Sequence, residues 1–156
     1  MYISESNRIK GSVSMDQSKS NDTLILIIWS QALIATVGSL FYSEVMNFIP
    51  CDFCWYQRIL MYPLVVIYGV YAIKKDVIIT IPGLILSGIG IFVASYHYLM
   101  QKLPIFEKAA SSCGIVPCNS EYVNYLGFIT IPFMALIAFT VIFSLNVVLL
   151  RKNKGE

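Results

Sequence analysis

The sequence predicts an all-α polytopic membrane protein, a four-helix transmembrane bundle with both termini in the cytoplasm. Three observations predict it. Of the 156 residues 57% are hydrophobic and only 13% charged, against roughly 25% charge in a soluble domain, and mean hydropathy is +0.71. The apolar residues are gathered into four blocks of spanning length instead of being scattered. Lysine and arginine divide unevenly between the two sides of those blocks. The same composition excludes other classes. A net charge of +2 leaves no clustered basic face for nucleic acid, and four cysteines fall far below the roughly 8–10% that marks a disulfide-built miniprotein.

A span needs about 20 mostly apolar residues to cross about 30 Å of hydrocarbon. Residues 1–23 are polar and serine-rich and read as a floppy tail. Residues 24–43 carry no charge and form the first span, extended to about 46. No small-x-small cleavage site closes that block before Phe41 and Tyr42, and its polar leader is long, so it reads as a retained anchor and not as a cleaved signal peptide. Pro50, and the distance of Cys51 from the N-terminus, fit lipoprotein processing badly. After a tight joint around residues 49–54, the second span covers about 55–73 and places Arg58 one turn inside its end. A short turn at 74–76 leads to a third span at about 77–99. A loop over 102–121 precedes the fourth, at about 123–150, and residues 151–156 form a tail. The membrane domain is therefore 24–150.

Within the spans, Gly83 with Ser87 and Gly90 with Ala94 place small residues on one face, where helices approach closely. Pro63 and Pro132 are expected to kink their spans, which neighbouring helices tolerate. Gln31 reads as an interhelical hydrogen bonder. Arg8, Lys10, Lys19, Lys74, Lys75, Arg151, Lys152 and Lys154 fall on one side of the bundle, against Arg58, Lys102 and Lys108 on the other. The positive-inside rule then puts both termini in the cytoplasm and all four cysteines outside.

Those cysteines form two close pairs, Cys51 with Cys54 and Cys113 with Cys118. Three readings compete: structural disulfides in one of the connectivities four cysteines allow, a four-thiolate metal site, and a relay in which a thiolate attacks a disulfide. Loops this short remove little unfolded-state entropy, so two such pairs make poor staples and reactivity is their better use. Cys54 falls at the start of the second helix, where free N–H groups and the positive dipole end favour a thiolate. Arg58 lies one turn further on the same face, and its guanidinium can support that thiolate or donate to a carbonyl oxygen. An ordinary snorkelling role also fits Arg58. His97, the single histidine, stands between Tyr96 and Tyr98 and reads either as an interfacial belt residue or as a donor to the acceptor Arg58 contacts. Trp55, Tyr56 and Tyr62 are belt residues or the walls of a flat ligand's pocket.

The run Cys51-Asp-Phe-Cys54-Trp55-Tyr56-Gln57-Arg58 closely resembles the signature of the DsbB family of membrane thiol oxidoreductases, especially its Bacillus-type BdbC branch. Gly38 to Glu44, Tyr96-His97-Tyr98-Leu99, the second cysteine pair and Gly127 to Pro132 resemble that branch too, so the likeness covers about residues 24–150. The resemblance implies a four-helix enzyme of the bacterial cytoplasmic membrane that reoxidises a DsbA-like (BdbD-type) thioredoxin-fold partner. Two electrons then pass to a quinone, either menaquinone or ubiquinone. By similarity, Cys113 and Cys118 meet the partner, with Cys113 the site of the mixed disulfide. Cys51 and Cys54 then take the electrons, Cys54 lies next to the quinone ring, and Arg58 and His97 contact the quinone. No metal is implied. One departure is the second pair, separated by only four residues as in the short Bacillus-like forms. Vitamin K epoxide reductase-like proteins are also quinone-linked four-helix bundles, but they carry their C-x2-C pair near the end of a late helix. A non-catalytic membrane protein with a four-cysteine metal site or structural disulfides remains the alternative.

Overall fold

The structure is a computed structural model that describes residues 2–75, 80–103 and 128–154. Every regular element among them is helical: α1 (Tyr2–Leu40), a π-helical turn (Phe41–Val45), α2 (Asp52–Lys74), α3 (Thr80–Lys102) and α4 (Ile131–Lys154). Four stretches are long and apolar enough to cross a membrane, Lys19–Val45, Asp52–Lys74, Thr80–Lys102 and Ile131–Lys152. At 1.5 Å per residue they measure about 33–40 Å, sufficient for the hydrocarbon with some tilt.

The helices run alternately up and down. Each packs on its neighbours in sequence, and α4 closes back on α1. At one end, the Lys75 ammonium meets Asp22 Oδ2 at 2.6 Å and Lys152 Nζ donates to Ser20 Oγ, gathering the ends of α2 and α4 around the first span. Such exposed pairs contribute under about 1 kcal/mol, so they align the helix ends more than they stabilise the bundle. Stability comes from the interior, where Ile28, Met61, Leu64, Tyr68, Phe139 and Ile142 bury their side chains in one cluster. Outward positions are apolar as well, Val37, Val66, Ile73 and Phe92 among them. A bundle that is apolar on both its inner and outer faces suits lipid, not water.

The small-residue face of α3 does what its spacing predicts. Gly83, Ser87, Gly90, Ala94 and His97 are all buried. A Cβ at Gly83 would collide with the Tyr68 ring, and one at Gly90 with the Phe139 ring, so these glycines set the approach of α2 and α4 to α3. Beneath them, Asn146 Nδ2 donates to the Tyr68 hydroxyl and to the Thr80 carbonyl at 3.3 Å, tying three helices together in the core.

Three expectations need correcting. The N-terminal tail, read as floppy, is helical from Tyr2. Residues 1–23 contain no proline and one glycine, and a helix already nucleated by the span propagates at little cost. The fourth span starts at Ile131 and not near 123, because Phe128 to Thr130 are not helical. Pro132 is therefore the second residue of α4, in a first turn whose N–H groups lack helical partners anyway, and it opens the helix instead of kinking it. Pro63 does lie inside α2.

Candidate redox site

The joint between α1 and α2 positions the first cysteine pair. After the π-helical turn, Asn47 takes a left-handed φ of 55°, which asparagine tolerates, and the Tyr42 and Phe48 rings stack at 6.1 Å. Pro50 delivers Cys51 in extended backbone, φ −72° and ψ 171°, as the N-cap of α2. The Cys51 carbonyl accepts from the Trp55 N–H at 3.1 Å while its side chain makes no cap hydrogen bond. The thiol is therefore left to the site. Cys54 sits in the first helical turn, as its spacing predicts.

Cys51 is buried and Cys54 half-buried, and their sulfurs are in contact at 3.0 Å. The hydrogen bond with Cys54, and next to it burial, push the Cys51 thiol up to about 12, while His97 pulls the other way. His97 Nε2 lies 3.6 Å from the Cys51 sulfur, and Nδ1 lies 3.2 Å from Gln57 Nε2. The imidazole is only 1% exposed, so His97 stands against the dithiol and not in an interfacial belt. Phe53 covers it at 5.6 Å.

Arg58 is tied to α1. Its Nε donates to Ser39 Oγ and its Nη2 to the Ser39 carbonyl, both at 2.9 Å, and the guanidinium lies 5.4 Å from the Trp55 ring centroid. Two edges of the fork are thereby fixed, and Nη1 makes no hydrogen bond among the described residues.

Beside Cys54 opens a cavity of about 320 Å³ between α1, α2 and α4, within the range of small-ligand sites. Its walls are mainly apolar, Ile34, Met61, Met134 and Phe139 among them, with Cys54, Gln57, Arg58 and Tyr62 on one side. Gln31, expected to join helices, instead lines this cavity and makes no hydrogen bond among the described residues. His97 is not on the cavity wall. Trp55 and Tyr56 are about half exposed and face outward. The donor atoms of Cys51, Cys54 and His97 lie within 4.8 Å of one another, but a structural zinc site needs four ligands and the described residues bring no fourth. Cys113 and Cys118 lie outside the described residues.

Sequence reasoning missed Ser39 and Gln57. Gln57 carried a signal, since it follows Cys54 by three and so shares its helix face. Ser39 carried none.

The family model for disulfide bond formation protein DsbB matches residues 21–149. The chain belongs to the DsbB family. The resemblance read from the cysteine motif is thereby borne out. Among the relatives of this DsbB-family chain, the "Probable disulfide formation protein" of Oceanobacillus iheyensis is 60% identical over 137 residues, which cover 87% of this chain and 94% of that one. "Probable disulfide formation protein C" of Halalkalibacterium halodurans is 47% identical over 87% of this chain and 99% of its own. "Disulfide bond formation protein C" of Bacillus subtilis is 46% identical over 88% and 99%. No solved structure matches the chain. Membership in DsbB and four spanning helices make this a multi-pass membrane protein of disulfide bond formation, with the thiol–disulfide oxidoreductase activity the family name carries.

Proposed function

We propose that the chain reoxidises an extracytoplasmic DsbA-like, BdbD-type thioredoxin-fold thiol oxidase and passes the electrons to a membrane quinone, menaquinone or ubiquinone. In this reading residues 24–150 are the membrane domain, the tails at 1–23 and 151–156 are cytoplasmic, and the cysteine pairs face outward. Disulfide bond formation in exported proteins is the outcome. The observation that carries the reading is the apolar cavity with Cys54 and Arg58 on its wall.

Those residues fit a quinone: apolar walls for a flat ring, and a fixed cation for a carbonyl oxygen. A bound quinone supplies an acceptor for two electrons and two protons. The chain's residues do the rest. The walls exclude water and hold the ring beside Cys54. Ser39 and Trp55 hold the guanidinium still, leaving Nη1 for the acceptor oxygen. Cys113 and Cys118, assigned by family resemblance, exchange with the partner and hand its reducing equivalents to Cys51 and Cys54 through a sulfur–sulfur bond between the loops.

The test is steady-state quinone reduction with reduced partner. Arg58→Met is expected to raise the apparent KM for quinone by about 10–100-fold, since a hydrogen bond from a charged donor contributes about 1.5–3 kcal/mol. Arg58→Lys, which keeps the charge but loses the planar fork, should fall between the two. An unchanged KM in Arg58→Met would remove the cavity from the reaction.

A further inference from the structure

We propose that Gln57, His97 and Cys51 form a hydrogen-bond relay: the Gln57 amide fixes the His97 ring with its proton on Nε2, facing the Cys51 sulfur, and that N–H stabilises the Cys51 thiolate freed during disulfide exchange. The relay rests on Cys51 being a redox sulfur, but requires neither the quinone nor the partner.

With the Gln57 amide oriented as it is placed, its nitrogen toward His97, the direction of each bond follows. Gln57 Nε2 lies 3.2 Å from His97 Nδ1, and an amide nitrogen only donates. Nδ1 therefore accepts, and a neutral imidazole that accepts on one nitrogen carries its proton on the other. That other nitrogen, Nε2, lies 3.6 Å from Cys51 Sγ. All three groups are buried, so water does not compete and the hydrogen bond to a charged sulfur is strengthened. The Phe53 ring against His97, with Tyr96 at 5.5 Å behind it, restrains the ring from turning. A nucleophilic sulfur, a histidine in contact with it and a third group orienting that histidine is the arrangement of activated thiols in general.

Chemistry gives the relay its purpose. A buried thiol held up by Cys54 and desolvation resists ionisation, and His97 is the group that offsets this. When an attacking thiolate breaks a disulfide in which Cys51 is the leaving sulfur, a new S–S bond forms. Cys51 departs with the electron pair of the old bond as a thiolate, and no net electrons are consumed. The Nε2–H then hydrogen-bonds the departing charge, and the thiolate later takes a proton from solvent. Gln57 is a positioning residue in this scheme, since it acts through His97.

His97 is the single histidine, so ring-nitrogen NMR of the full chain labelled with 15N-histidine reads one imidazole. The expected spectrum shows a protonated Nε2 and a bare Nδ1; a proton on Nδ1 overturns the relay. In a Cys54→Ser, Cys113→Ser, Cys118→Ser background, Cys51 is the single thiol, and its reaction with methyl methanethiosulfonate is followed by mass spectrometry. His97→Ala is expected to slow it by about tenfold, the effect of one pKa unit on the thiolate fraction. Gln57→Leu is expected to slow it in the same direction. Equal rates in the parent, His97→Ala and Gln57→Leu overturn the proposal, whatever the quinone assay gives.

Discussion

Arg58 works as a fixed group because Ser39 accepts from two of its nitrogens. A long side chain otherwise samples many rotamers, and the order it needs to meet a ligand is set in advance by the protein. Ser39→Ala removes one acceptor and leaves the other, so the apparent KM for quinone should rise about 2–5-fold, the effect of a neutral hydrogen bond of about 0.5–1 kcal/mol. That is well below the effect of Arg58→Met, and equal effects would show that Ser39 does more than position. Cys51 gives a second test at this scale. Its thiol is raised from 9.0 to about 12, so its proton is retained through the range in which an ordinary thiol ionises. In the reduced protein, alkylation of Cys51 by iodoacetamide should still climb about tenfold per pH unit between pH 9 and 11, where an ordinary thiol has levelled off. The linked effect on stability has the same sign. The folded state keeps a proton that the unfolded chain loses above pH 9, so the reduced protein becomes less stable as pH rises toward 12. A plateau of the alkylation rate near pH 9 would contradict the raised value.

Among the elements, α3 is the helix whose sequence decides the packing of the others. Gly90 lies under the Phe139 ring with no room for a methyl group, whereas a Cβ at Gly88 would make ordinary contact with Phe143 at 3.5 Å. Gly90→Ala should therefore lower stability in detergent by about 1–3 kcal/mol through overpacking. Gly88→Ala should be neutral, or up to about 1 kcal/mol more stable from helix propensity. Denaturant or thermal unfolding of the two variants side by side checks this, and similar losses in both would mean that α3 and α4 are packed less closely than described. The Asn146 bonds to Tyr68 and Thr80 act between elements in another way. Interhelical hydrogen bonds in membranes average only about 0.6 kcal/mol, so this one fixes helix register more than it adds stability.

For the whole molecule, most of the described lysines and arginines lie at the end of the bundle opposite the Cys51–Cys54 pair. Lys19, Lys74, Lys75, Arg151 and Lys152 gather at the end where Lys75 meets Asp22, and the Cys51–Cys54 pair lies at the other, beside His97. On the proposed orientation, which follows the positive-inside rule, the lysine-rich end faces the cytoplasm. A membrane-impermeant maleimide applied to intact, reduced cells should label cysteines of this chain without lysis. Labelling only after lysis would invert the orientation, and the proposed partner would then be on the wrong side of the membrane.

The amino-acid sequence by itself determined the class of the protein, the number of its spans and the placement of Cys51 and Cys54 at the start of a helix. These are one-dimensional properties: the length of a charge-free run, the spacing of two thiols, and a proline that holds the chain extended before the first turn. Helix ends were less legible. Pro132 reads as a kink within its span until the backbone before it is seen to be non-helical. Tertiary structure alone decided the surroundings of the dithiol. His97 is 46 residues from Cys51 and Ser39 is 19 from Arg58; whether such pairs meet depends on the rotation of each helix about its axis. The cavity is likewise formed by three helices at once. Hydropathy constrains helix rotation weakly in a bundle that is apolar inside and out, so the contacts among small and aromatic residues on α3, α2 and α4 settle it.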